Sequence, residues 1–224
     1  MNSPAASVPL GLRLRRAFMR RAARLLYLIL GRVEVSGLQN IPRGMAYIAA
    51  INHTSIFDAP LMLAFWPESI AAIGAADVFD KPVQGQIVSL YGTTPVHRGA
   101  YDRALIDDML ATLRLGMPLL IAPEGGRSHQ PSMRRAKPGI AHIVEETGVA
   151  VVPVGILGAT DDFLKRGLRF ERPRIGMRVG RPFNLPPLEG RGEARRESRQ
   201  RNADLVMRRI AELLPPEYHG AYAV

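Results

Sequence analysis

Residues 52–58 read Asn-His-Thr-Ser-Ile-Phe-Asp, and they set a histidine and an aspartate five positions apart between two apolar runs, 46–51 and 59–66. If the segment folds back on itself, the Asp58 carboxylate can accept the His53 Nδ1–H. That bond fixes the imidazole tautomer and leaves Nε2 free to take a proton. A neutral histidine so held can deprotonate a hydroxyl as it attacks a carbonyl, a contribution of about 10²- to 10⁴-fold in rate. No Gly-x-Ser-x-Gly elbow occurs, so the nucleophile would be an acceptor's own hydroxyl rather than a serine of the chain. On spacing alone the other reading is a histidine at the edge of a core, held by a nearby backbone group.

Three further segments carry groups that would give such a base something to act on. Residues 92–99 (GTTPVHRG) contain Arg98, and residues 122–128 (APEGGRS) contain Glu124, Gly125, Gly126, Arg127 and Ser128. Two arginines on separate loops can clamp a phosphate bidentately, and the paired glycines permit close backbone approach to a ligand. Lys137, just after Arg134 and Arg135, could add a third positive group. The structural alternatives are an ion pair of Glu124 with Arg98 or Arg127, and a solvated Lys137. The last segment is the apolar run Val152, Pro153, Val154, Gly155 and Ile156.

These segments need a frame that brings them to one place. Past Gly31 the chain alternates short apolar runs, read as strands at 32–35, 46–51, 69–74, 94–97, 119–122, 151–156 and 174–179. Helical patterns fall between and after them at 59–65, 83–90, 102–115, 139–146 and 193–214. Such alternation predicts an α/β fold with a mixed, largely parallel sheet flanked by helices. In sheets of this kind the loops leaving the carboxyl ends of strands collect ligand-handling residues, and all four segments lie in such positions. The charged stretch 189–201 reads as a linker running into a solvated C-terminal helix. The organisation is therefore an N-terminal helix over 1–31, an α/β domain over 32–188, and a linker with a helix over 189–224 that packs on the same domain.

With 224 residues, 47% of them apolar, the chain can bury a substantial core. It has no cysteine, which removes disulfides, thiol nucleophiles and cysteine metal sites, and no metal-ligand set is read. The formal charge of +10 is carried almost entirely by arginine, which implies a polyanionic partner. Aromatic residues are only 6%, and no zinc-finger or RNP-like pattern occurs, so nucleic acid is set aside. The densest basic cluster lies in residues 10–30, where Arg13, Arg16, Arg20 and Arg24 recur at helical spacing beside Leu14, Phe18, Ala22, Leu25 and Ile29. A helix there would be roughly 30 Å long, but each arginine at mid-bilayer costs about 2.5 to 3.5 kcal/mol. It is expected to lie on an anionic membrane surface rather than span it. The alternative is an amphipathic helix docked on the domain with its arginines solvated.

The four blocks NHTSIFD, GTTPVHRG, APEGGRS and VPVGI, in this order over residues 32–181, resemble those of the glycerolipid acyltransferases, nearest the 1-acylglycerol-3-phosphate (lysophosphatidic acid) acyltransferases. The resemblance implies His53 as catalytic base with Asp58 as its partner, and Arg98 and Arg127 as phosphate-binding arginines. It also implies Glu124 and Gly125, with Gly126, Ser128 and Lys137, as the acceptor-binding region, and Val152–Ile156 as part of the acyl-donor site. The reaction implied is transfer of a fatty acyl group from acyl-CoA or acyl-carrier protein to the free hydroxyl of a lysophospholipid, with 1-acylglycerol-3-phosphate giving phosphatidic acid as the first expectation. No bound cofactor is expected, and the place expected is the cytoplasmic face of a membrane, peripheral or monotopic. Two positions depart from the family pattern. Ala122 stands where an aromatic residue is usual, and Gly126 where threonine is usual, which leaves room for a glycosylated, inositol-bearing or amino-acid-based lysolipid. A catalytically silent lipid-binding protein on the same fold is the reading from another class.

Overall fold

A computed structural model of the chain describes residues 9–96 and 103–223. Its strands are β1 (Arg32–Ser36), β2 (Tyr47–Ile51), β3 (Ala71–Ala75), β4 (Thr94–Val96), β5 (Leu119–Ile121), β6 (Ala150–Leu157) and β7 (Arg174–Val179). They form one seven-stranded sheet in the order β1-β7-β6-β2-β5-β3-β4. Every neighbouring pair is parallel except β6 with β7, so the sheet is mixed and largely parallel, as the alternating pattern predicts. At the centre Ala49 of β2 lies opposite Leu120 of β5 and Val152 of β6.

Both faces of the sheet are covered. Side chains of β2 alternate between them, with Tyr47, Ala49 and Ile51 on one side and Ile48 and Ala50 on the other. The first side is packed by α1 (Leu10–Leu30), α2 (Asp58–Phe65) and α7 (Phe163–Leu168), through Tyr27, Leu30, Leu61, Met62 and Phe163. The second is packed by α5 (Arg103–Arg114), α6 (Gly139–Thr147) and α8 (Gly192–Ala211), through Met109, Leu113, Ile140, Ile143, Val206 and Ile210. Two shorter helices, α3 (Ala76–Phe79) and α4 (Gln84–Tyr91), precede β4.

The C-terminal region corrects an expectation. Most of the charged stretch 189–201 is helix rather than linker, because α8 starts at Gly192. Nor is that helix solvated throughout, since Ala203, Val206, Met207, Ile210 and Ala211 are buried against the sheet. Its charges are spent locally: Arg195 and Arg199 both pair with Glu145 on α6.

Helix α1 turns two of its arginines inward, against the alternative of a docked helix with solvated arginines. Arg16 is buried and donates through Nε to the Tyr91 carbonyl (2.8 Å) and through Nη2 to the Gly92 carbonyl (3.1 Å), at the C-terminal end of α4. Arg20 does the same for α2, donating to the carbonyls of Leu63 and Trp66. These carbonyls have no partner inside their own helices, so a guanidinium satisfies what the helix end leaves open. Leu10, Leu14, Phe18, Leu25, Leu28 and Ile29 face outward in their place. Arg13, Arg15, Arg21 and Arg24 are exposed around that apolar stripe. No helix of the described residues is long and apolar enough to cross a membrane.

Arg16→Met keeps the stem but leaves two carbonyls without a donor, so it should lower unfolding stability by about 1 to 3 kcal/mol. Arg21→Met, on the exposed side, should stay within about 0.5 kcal/mol. Urea titrations of both variants at constant m-value check the contrast.

Candidate active site

Three adjacent parallel strands, β6, β2 and β5, open their carboxyl-end loops on one edge of the sheet. The central loop carries His53 and Asp58. Asp58 opens α2 and is fully buried. Its Oδ2 accepts the backbone N–H groups of Thr54 (2.6 Å) and Ser55 (2.8 Å), which bends the loop back, and lies 2.9 Å from His53 Nδ1. An ionised carboxylate only accepts, so Nδ1 carries the hydrogen in this pair. Burial pushes the Asp58 carboxyl upward, against the pull of His53 and of the Ser55 and Thr54 N–H groups. The imidazole itself is one fifth exposed, and its Nε2 has no partner among the described residues.

Asn52 precedes this pair and closes the seam between β2 and β6. Its side chain donates to the Ile156 carbonyl (2.9 Å) and accepts from the Ile156 N–H (2.7 Å) while wholly buried. Val152, Val154 and Ile156 have no exposure, so the run 152–156 forms the inside of the sheet and touches the site through main chain and Asn52. Gly155 lies against Leu213 and Leu214, where a Cβ would stand 2.9 Å from a Leu214 methyl.

Glu124, from the loop after β5, is 1% exposed and does not project toward an acceptor. Its two oxygens accept the backbone N–H groups of His53 (2.7 Å) and Arg134 (2.7 Å). Arg127, one of the two arginines named as its alternative ion-pair partners, does not hold it. Ser128 completes the grip, its N–H donating to the His53 carbonyl at 2.9 Å. The His53 main chain is therefore held on both sides by the loop that follows β5. Burial pushes the Glu124 carboxyl up to about 7, opposed by its two N–H donors. Gly125 has φ 67°, and a Cβ there would meet the Lys137 stem at 2.7 Å, so only glycine lets that lysine lie across the loop. Gly126 is buried beside it. Arg127 keeps its guanidinium one fifth exposed, with Asp161 at 3.8 Å as its ion-pair partner. Arg98 falls outside the described residues.

Sequence reasoning passed over Asp161, in the loop after β6. Its Oδ1 accepts from Ser55 Oγ (2.9 Å) and the Ile56 N–H (3.2 Å), while Oδ2 lies 3.2 Å from His129 Nδ1. Arg127 Nη1 stands 3.8 Å from Oδ1. A carboxylate at the end of a strand neighbouring the His53 strand was the available signal. One other cluster, His142 with Glu145 and Glu146 on α6, brings ligand atoms together, but Glu145 is already taken by Arg195 and Arg199.

A family model described as Acyltransferase matches residues 32–157, which contain the whole His53, Asp58 and Glu124 arrangement. The chain belongs to this acyltransferase family. It is 33% identical over 216 residues to the lyso-ornithine lipid O-acyltransferase of Pseudomonas aeruginosa, covering 88% of this chain and 80% of that one. It is 28% identical over 164 residues to the 1-acyl-sn-glycerol-3-phosphate acyltransferase alpha of Ovis aries, where it spans about half the relative's length (55%). The crystal structure of a 1-acyl-sn-glycerophosphate (LPA) acyltransferase from Thermotoga maritima superposes with a TM-score of 0.61 at 25% identity, covering 90% of this chain and 79% of that one. As an acyltransferase fold, the chain presents its imidazole–carboxylate pair at the strand ends where the sequence blocks place it.

The raised Glu124 carboxyl predicts a stability profile. A carboxyl whose folded value exceeds its ordinary 4.5 binds more protons folded than unfolded. Its contribution is complete below about pH 4.5 and is lost as pH rises through about 7. Glu124→Gln should be less stable than wild type at pH 5, because one backbone N–H then faces an amide NH₂, yet should lose less stability between pH 5 and pH 8. Urea unfolding at the two pH values measures both differences.

Proposed function

We propose that the protein moves a fatty acyl group from a thioester, acyl-CoA or acyl-carrier protein, to the free hydroxyl of a lysolipid, with His53 as general base. The observation that carries this reading is the His53 Nδ1 to Asp58 Oδ2 bond of 2.9 Å at the exit of β2, with Nε2 on the open side. The acceptor hydroxyl gives its proton to Nε2 as its oxygen attacks the thioester carbonyl. The tetrahedral oxyanion then collapses, the C–S bond breaks, and the leaving thiolate takes the proton back from the imidazolium. Asp58 stays ionised and stabilises the imidazolium in between. Arg127 and the Lys137 ammonium would meet the acceptor headgroup. Glu124 and Ser128 hold the His53 main chain, which makes them positioning groups.

For the acceptor, 1-acylglycerol-3-phosphate giving phosphatidic acid is the reading that most of the relatives support. A specific observation favours an amino-acid-based lysolipid instead. The relative matched along 88% of this chain and 80% of its own length is a lyso-ornithine lipid O-acyltransferase.

Both substrates are lipids, and the outward face of α1 suits them. Its leucines and Phe18 would enter the acyl boundary while Arg13, Arg15, Arg21 and Arg24 meet anionic headgroups. Exposed Val83, Ile87 and Leu90 around neighbouring α4 would widen that contact. The location that fits this reading is the cytoplasmic face of a membrane, with α1 lying on the surface rather than spanning it.

His53→Ala should lower acyl-CoA-dependent acylation of lysolipids by about 10²- to 10⁴-fold with an unchanged circular dichroism spectrum. Equal thiol release by wild type and variant with every lysolipid offered would favour the silent lipid-binding reading. The double change Phe18→Ser with Leu25→Ser should reduce cosedimentation with anionic vesicles. Undiminished binding would remove α1 from the membrane contact.

A further inference from the structure

We infer that Asp161 and Arg127 together form a headgroup selector for an acceptor that carries an ammonium as well as an anionic group; this rests on the acyltransferase reading above. The two side chains come from loops on either side of the His53 loop and approach to 3.8 Å, too long for a hydrogen bond. Each therefore keeps capacity for a ligand. Arg127 retains its guanidinium N–H donors, one fifth exposed, and Asp161 is nearly half exposed.

The remaining contacts of Asp161 fix its position. Ser55 Oγ and the Ile56 N–H are uncharged donors to Oδ1, and His129 Nδ1 lies 3.2 Å from Oδ2. Those donors, with Arg127, hold the carboxyl below the usual carboxylate range against the opposing effect of partial burial. It is therefore a fixed anion at the mouth of the site. A phosphomonoester seated on Arg127 would stand beside that anion and be repelled by it. A headgroup with a carboxylate for Arg127 and an ammonium for Asp161 meets two complementary charges instead. Because Asp161 also ties Ser55 and Ile56 in place, the same carboxylate sets the headgroup's distance from His53.

The test compares two acceptors with one acyl-CoA: an ornithine-headed lysolipid and 1-acylglycerol-3-phosphate, each in mixed micelles. Asp161→Asn should lower the ratio of kcat/KM values, ornithine-headed over phosphate, at least tenfold, chiefly by raising KM for the ornithine-headed acceptor. Ser55→Ala removes only a tether, so it should change both values alike and leave the ratio within about twofold. Asp161→Glu, which keeps the charge, should retain the preference even where total activity falls. Loss of both activities by the same factor in Asp161→Asn would overturn the inference and make Asp161 a brace only. So would a wild type that prefers the phosphate acceptor. A wild type that acylates no lysolipid would instead fail the acyltransferase reading itself.

Discussion

A carboxylate with no access to water must be surrounded by donors, and that requirement shapes the catalytic loop. Asp58 is fully buried, so its cost is offset by drawing in the N–H groups of Thr54 and Ser55, the Thr54 hydroxyl and the His53 ring. The loop cannot open without leaving those donors and that charge unpaired. The bend that satisfies Asp58 is the same bend that holds the His53 ring with Nε2 unpaired, so folding stability and the geometry of the proposed base rest on one group. Glu124 extends the logic to the next strand, with a carboxylate fully spent on two main-chain N–H groups, one of them belonging to His53. Asp161 does the same from the other side but keeps capacity in reserve.

Much of the fold was legible because its signals are periodic. All seven strands show as short apolar runs, and each was placed within about two residues at either end. The failures have physical causes. Helices α3 and α7 span only four and six residues, too short for a 3.6-residue repeat to register. The helix over 193–214 was read, but the charge of 189–201 gave its first turns the look of a linker, because arginines whose stems lie along a neighbouring surface look the same in sequence as solvated ones. In α1 the spacing of arginines and leucines was read correctly, but periodicity cannot tell which face turns inward. That choice was made by unpaired carbonyls at the ends of α2 and α4, which no residue type announces.

The site was legible to the extent that it is made of side chains meeting side chains. His53 with Asp58 could be read from spacing, since donor and acceptor are both visible in the residue types. Glu124 was expected in the acceptor-binding region, with an arginine ion pair as the alternative; its partners are backbone N–H groups, which every residue has and no pattern reveals. Asp161 stands between Thr160 and Asp162 in an unremarkable loop, and only the strand order brings it beside Ser55 and Arg127. Groups that act across strands separated by a hundred residues leave no local pattern.

Helix α1 and the catalytic loop are joined directly, and this bears on how a lipid reaches the base. Tyr27 of α1 turns inward, donates its hydroxyl hydrogen to the Phe57 carbonyl at 2.8 Å, and packs its ring against Phe163, which also meets Phe57. Phe57 is the residue before Asp58. The C-terminal turns of α1, where Leu25, Leu28 and Ile29 face outward, are thus one aromatic layer away from the His53 pair. Arg172 secures that end by donating to the carbonyls of Leu28 and Gly31. In the proposed reaction, an outward apolar face fixed to the His53 loop would let a lysolipid keep its acyl chain in an apolar medium while its headgroup reaches the strand ends. The chain would then not be transferred to water, a cost of about 0.8 kcal/mol for each methylene.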